Sequence, residues 1–147
     1  GKMVDYGIKD ANNMGAAMAP AAADTIKTYF EDTNTGPNDY DLILTGDLAR
    51  IGSDLLYELL DRENINIREK HNDCGLMIFD LKKQKVNSGA SGCGCAATVL
   101  CSYIFEQLRQ RNLRNILFCA TGALMSTTTS QQGESIPSVA HLLNITI

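Results

Sequence analysis

A chain of 147 residues that is 44% hydrophobic, with 12 Gly and 3 Pro, can bury one full core and has no disordered-type composition. A net charge of -4, with 13 Lys and Arg scattered along the chain, excludes the basic footprint of a nucleic-acid binder. No run of roughly 18 apolar residues exists for a membrane span, and Gly1-Lys2-Met3-Val4-Asp5 lacks the apolar stretch of a signal peptide.

Residues 2–8 alternate weakly and read as an edge strand that ends in the turn-prone Asp10-Ala11-Asn12-Asn13. Met14, Met18, Ala22, Ile26, Tyr29 and Phe30 recur at helical spacing, which predicts a helix over 14–31. Asn12 or Asn13 is its cap, and Pro20 either kinks it or delays its start. After the turn-rich residues 32–39, the apolar run 40–46 predicts a buried strand.

A second helix follows, with Ile51, Leu55, Leu56, Leu59 and Leu60 on one face and Asp54, Glu58, Asp61 and Arg62 on the other. Residues 76–79 read as a short strand, and the small-residue segment 88–95 opens a helix reaching about residue 111. Residues 114–121 and 138–147 complete the set of strands. Helices alternating with apolar strands predict an α/β fold with a mixed, mostly parallel five-stranded sheet packed with helices, its last strand antiparallel.

The helix from Cys95 to Phe105 is apolar or small on nearly every side and demands cover all round. One sheet covers one side, so a partner layer is expected from a missing amino-terminal half of the same polypeptide or from a second subunit. The start at Gly1 points the same way.

The richest constellation for chemistry is Gly89-Ala90-Ser91-Gly92-Cys93-Gly94-Cys95-Ala96. Backbone N-H groups at such a helix entry can hold a carboxylate, and small side chains admit a ligand; tight packing of helix on sheet is the plainer reading. The order of glycines is not that of a dinucleotide fingerprint. Cys93 or Cys95 could serve as a nucleophile at a helix start. His71, Cys74, Cys93 and Cys95 could be drawn as a zinc site, but a CxC spacing is not the usual zinc knuckle, and no metal or other cofactor is expected. The five cysteines are odd in number and mostly within apolar runs, which reads as reduced thiols in a cytosolic protein. Asp47 and Arg50 follow a strand at the edge where α/β proteins place ligands; otherwise Asp47 caps the second helix and Arg50 pairs on the surface. Glu134, Ser135 and His141 could be drawn as hydrolase parts, with nothing to fix their geometry.

Residues 10–22 and 40–48, together with Ser91-Gly92-Cys93-Gly94-Cys95, Thr121-Gly122-Ala123-Leu124-Met125-Ser126 and Gln131-Gln132-Gly133-Glu134-Ser135-Ile136-Pro137, resemble the stage V sporulation protein AD family in order along the chain. Ala11 and Ala49 depart from its pattern. The resemblance implies a thiolase fold of which residues 1–147 form the carboxyl-terminal half-domain. In ketoacyl synthases of that fold a histidine and an asparagine polarise the thioester, and by register those positions fall here on Thr45 and Cys93, so acyl-transfer chemistry is expected to be lost.

The family further implies binding of dipicolinic acid (pyridine-2,6-dicarboxylate) and its loading into the developing spore, alongside membrane-embedded proteins of the same sporulation operon at the cytoplasmic face of the spore inner membrane. The ligand site is expected where Thr45, Gly46 and Asp47 meet Cys93, Gly94 and Cys95, with Thr121 and Gly122 closing one side. The competing expectation is a thiolase-like acyltransferase acting on a coenzyme A thioester through Cys93 or Cys95.

Overall fold

The computed structural model describes residues 1–89 and 92–147; Ala90 and Ser91 of the glycine-rich segment lie outside the described residues. Five strands form one sheet: β1 (Met3–Val4), β2 (Leu42–Thr45), β3 (His71–Asp73), β4 (Asn115–Ala123) and β5 (Ser138–Thr146), in the order β1-β5-β4-β2-β3. β2 runs parallel to both β3 and β4, whereas β5 is antiparallel to β4 and β1 to β5. The sheet is mixed, in an α/β architecture, as the alternation of helices and apolar strands predicts.

Side chains alternate across the strands and so build two cores. Ile43 of β2, Leu117 and Cys119 of β4 and Ala140 of β5 face α1 (Met14–Thr33) and α2 (Ala49–Asp61), whose Met18, Ala22, Ile26, Leu56 and Leu60 fill that side. Leu44, Ile116 and Phe118 point the other way. They meet Cys74 of α3 (Cys74–Ile78), Cys95 and Val99 of α4 (Cys95–Val99), Ile104, and Leu108 of α5 (Phe105–Arg109).

α1 starts at Met14 despite Pro20, and the alternative caps resolve to Asn13, whose side chain accepts from the Ala16 N-H at 3.2 Å. α1 and α2 cross where Gly15 meets Gly52. A Cβ on Gly52 would stand 2.9 Å from the Gly15 Cα, so two side-chain-free positions allow the backbones to touch.

Between α4 and α5, residues Leu100–Ile104 form a π-helical turn. Its wider step carries the buried stripe from Val99 to Ile104, five residues on, and turns Tyr103 outward, 52% exposed. Cys101 and Phe105 (45% exposed) share that outward side. The cover expected on every side of this helix is therefore not supplied by the described residues.

Three boundaries differ from the sequence reading. Only Met3–Val4 of residues 2–8 pairs in the sheet. The third strand is the polar His71–Asp73, not residues 76–79, which belong to α3 or follow it. Asp73 decides this, because its side chain accepts from the Gly75 N-H at 3.0 Å and starts a helix at Cys74. The last long helix begins at Cys95, since Gly89 and Gly92, at φ 91° and 83°, hold a left-handed backbone that no helix continues.

Candidate functional site

The loop from β2 into α2 and the loop from Gly92 into α4 meet at the end of β4. Strand β2 ends in Thr45, whose side chain is fully buried. Its hydroxyl donates to Asp73 Oδ2 at 2.6 Å and, with its one proton so used, accepts from His71 Nε2 at 2.9 Å. That fixes the proton of His71 on Nε2 and leaves Nδ1 to accept from the Tyr57 hydroxyl at 2.8 Å. The result is one directed relay, Tyr57 to His71 to Thr45 to Asp73.

Asp73 is its terminus and a hub. Besides Thr45, its carboxylate accepts from the N-H groups of Leu48 (2.9 Å), Ala49 (2.9 Å) and Gly75 (3.0 Å). Ala49 is thereby held at φ 55°, a left-handed conformation unusual for a residue with a Cβ. Burial pushes the Asp73 carboxyl up while these donors pull it down. Burial also lowers the His71 pKa to about 4, so the ring is neutral near pH 7.

Asp47 does not cap α2. The N-H groups there go to Asp73 and to Ser88, whose carbonyl and hydroxyl accept from Arg50 (2.9 Å) and Ile51 (3.3 Å). Asp47 instead turns across the gap: its Oδ2 accepts from the Gly92 N-H at 2.9 Å, and its own N-H donates to Thr121 Oγ1 at 3.0 Å. Loop, glycine-rich turn and β4 are thus tied together by one residue.

Around that tie lies a cleft of about 460 Å³, lined by Asp47, Gly92, Cys93, Thr121 and Gly122 of the three segments, with Met14 and Met18 of α1 among the remaining wall residues. Of the eight residues expected to form the site, the structure brings Asp47, Cys93, Thr121 and Gly122 to the cleft. Gly94 is exposed beside it, with nothing within 4 Å of an added Cβ. Gly46 acts in packing, for a Cβ there would lie 2.9 Å from the Thr121 nitrogen and 3.4 Å from Ala96 Cβ. Thr45 and Cys95 are buried, the one in the relay and the other in the core beneath α4.

Neither alternative use of the cysteines and histidines gathers here. Both ring nitrogens of His71 are engaged by Thr45 and Tyr57, and no metal-holding group of three or more His, Cys, Asp or Glu occurs among the described residues. The Cys74 thiol is pushed up to about 12, first by burial and then by the charges of Asp73, Cys95 and Asp47. Ser135 donates to Asp5 at 2.5 Å, and His141 lies exposed on β5 opposite Ala120. The relay around Asp73 escaped the sequence reading, although the Asp73-Cys74-Gly75 cap signal was available.

Residues 1–146 match the family model described as Stage V sporulation protein AD. The chain is 51% identical over 141 residues to Stage V sporulation protein AD of Bacillus subtilis (strain 168), an overlap of 96% of this chain and 41% of that protein. It therefore spans 41% of the length of that relative. Among solved structures it is similar to 3-oxoacyl-[acyl-carrier-protein] synthase III from Aquifex aeolicus VF5, with a TM-score of 0.44 and 14% identity over 96% of this chain and 42% of that one.

Proposed function

This chain belongs to the stage V sporulation protein AD family, and we propose that it binds dipicolinic acid without catalysing a reaction and supports uptake of that ligand into the developing spore. The observation that carries the proposal is the cleft. Three segments converge on an open space of about 460 Å³, within the range of about 300–1,000 Å³ usual for small-ligand sites. Its walls combine the Thr121 hydroxyl, which accepts from the Asp47 N-H and keeps its own proton to donate, with the apolar side chains of Met14, Met18 and Ala96, which suits a ring bearing acceptor groups.

The non-enzymatic reading is supported by Thr45 and Cys93. By the register of the resemblance, Thr45 and Cys93 fall at the positions of the histidine and asparagine of a thiolase-fold ketoacyl synthase, and the Thr45 hydroxyl is engaged inside the relay, away from the cleft. The competing acyltransferase is narrowed to one thiol, because Cys95 is buried while Cys93 is exposed on the cleft wall. In this reading the bare side of α4 and α5, with Tyr103 and Phe105, is covered by the rest of the polypeptide or a second subunit. No helix of the described residues is long and apolar enough to cross a membrane. Membrane-embedded proteins of the same operon then provide the attachment at the cytoplasmic face of the spore inner membrane.

Calorimetric titration of the full-length protein with dipicolinate tests the proposal, and saturable binding is expected. Absence of binding sinks it. Incubation with acyl coenzyme A thioesters, followed by mass spectrometry, is expected to leave Cys93 unmodified; a stoichiometric acyl adduct there would establish the acyltransferase instead.

A further inference from the structure

The segment expected to receive a ligand carboxylate already holds one. Asp47 Oδ2 sits 2.9 Å from the Gly92 nitrogen, at the glycine-rich turn. Among the described residues lining the cleft, Asp47 is the one that carries a charge, and that charge is negative. Its position is not incidental, since its backbone N-H is pinned to Thr121 on β4 and the two residues that follow it are pinned to Asp73. The side chain is only partly buried, and its field reaches inward as one of the causes raising the Cys74 thiol, after burial, Asp73 and Cys95. A ligand anion in the same cleft meets this carboxylate at short range in a setting where solvent screens less than in bulk water.

We infer that Asp47 is a specificity-determining residue that sets which ligand charge the cleft accepts, restraining dianions most, monoanions less and neutral ligands not at all. The inference rests on the dipicolinate reading above and deepens it. Like charges repel in proportion to their product, so the penalty grades with ligand charge while the ring and its contacts stay the same. Hydrogen bonding at Gly92 is a separate matter, because the amide oxygen of an asparagine also accepts from an N-H. Charge and tether can therefore be removed one at a time.

The test uses the full-length protein and its D47N and D47A variants, titrated by calorimetry with dipicolinate, picolinate and pyridine-2,6-dicarboxamide, after thermal unfolding has shown each variant to be folded. Expected for D47N is on the order of tenfold tighter binding of the dianion, about threefold for the monoanion and less than about twofold for the diamide. The same gradation in D47A supports the inference. A gain confined to D47A, or equal for all three ligands, overturns it, because loosening of the loop rather than charge would then be the cause. Unchanged or weaker dianion binding in D47N, with the parent binding normally, also overturns it while leaving the dipicolinate reading intact. If neither the parent nor any variant binds any of the three ligands, the dipicolinate reading fails and this inference fails with it.

Discussion

Thr45 and Asp47 are two residues apart at the end of one strand, and they inhabit opposite environments. Thr45 is fully buried, and its hydroxyl both donates and accepts within the relay from Tyr57 to Asp73. Asp47 is partly exposed, faces open space and spans it to reach Gly92. The buried end holds the open end in place, because Asp73 fixes the backbone of Leu48 and Ala49 directly after Asp47. A binding wall of this kind needs a saturated polar foundation, since a half-satisfied buried network would cost more than an apolar one.

Removing the foundation gives the largest expected effect. Asp73→Ala strips the acceptor from the Thr45 hydroxyl and from the N-H groups of Leu48, Ala49 and Gly75. We expect a loss of about 4 kcal/mol in urea unfolding. A loss below about 1 kcal/mol would mean that water replaces the carboxylate and that the junction is not closed.

The next effect is one of pH. His71 has a folded pKa lowered from 6.5 to about 4. Below pH 6.5 the unfolded imidazole takes a proton that the folded ring refuses until about pH 4, so the unfolded state binds more protons in that window. Stability therefore falls as pH drops through it, by up to about 3 kcal/mol from this group. The raised carboxyl of Asp73 acts in the opposite sense just above its ordinary value, where the folded state holds its proton longer, and offsets part of the slope. His71→Gln is expected to flatten the acid limb of the thermal midpoint against pH; an unchanged limb would show that His71 protonates without leaving the relay.

Smaller again is Gly52→Ala, whose new Cβ would meet Gly15 backbone at 2.9 to 3.0 Å. About 2 kcal/mol of overpacking is expected in chemical denaturation, with dipicolinate affinity intact because neither Gly15 nor Gly52 is among the residues lining the cleft. Loss of affinity at unchanged ligand concentration would show that the two regions are coupled. The smallest effect on folding belongs to the open side. Gly94→Leu adds a side chain where nothing stands within 4 Å, at a backbone φ of -85°. Stability should change by less than about 0.5 kcal/mol, while dipicolinate binding in the full-length protein should be blocked. Normal affinity in a folded Gly94→Leu protein would move the ligand elsewhere.

The sequence by itself determined the elements that depend on local periodicity. The apolar run of β2, the stripe of α2 from Leu55 to Leu60, the strand at residues 114–121 and the α/β alternation are all written in spacing, because burial on one face imposes a period. The motifs also determined the family, and with it the three segments that meet at the cleft. Tertiary structure decided what periodicity cannot encode. β3 is three polar residues, and only its pairing with β2 makes His-Asn-Asp a strand. Capping of α2 falls to Asp73 and Ser88, which lie 24 and 37 residues away from the N-H groups they bind, so Asp47, adjacent in sequence, was released to the cleft. Gly46, Gly94 and Cys95 read alike in the sequence as small residues of one site. The fold made one a packing contact, one an open approach and one a core thiol, because burial is a property of where elements cross and not of the residues alone.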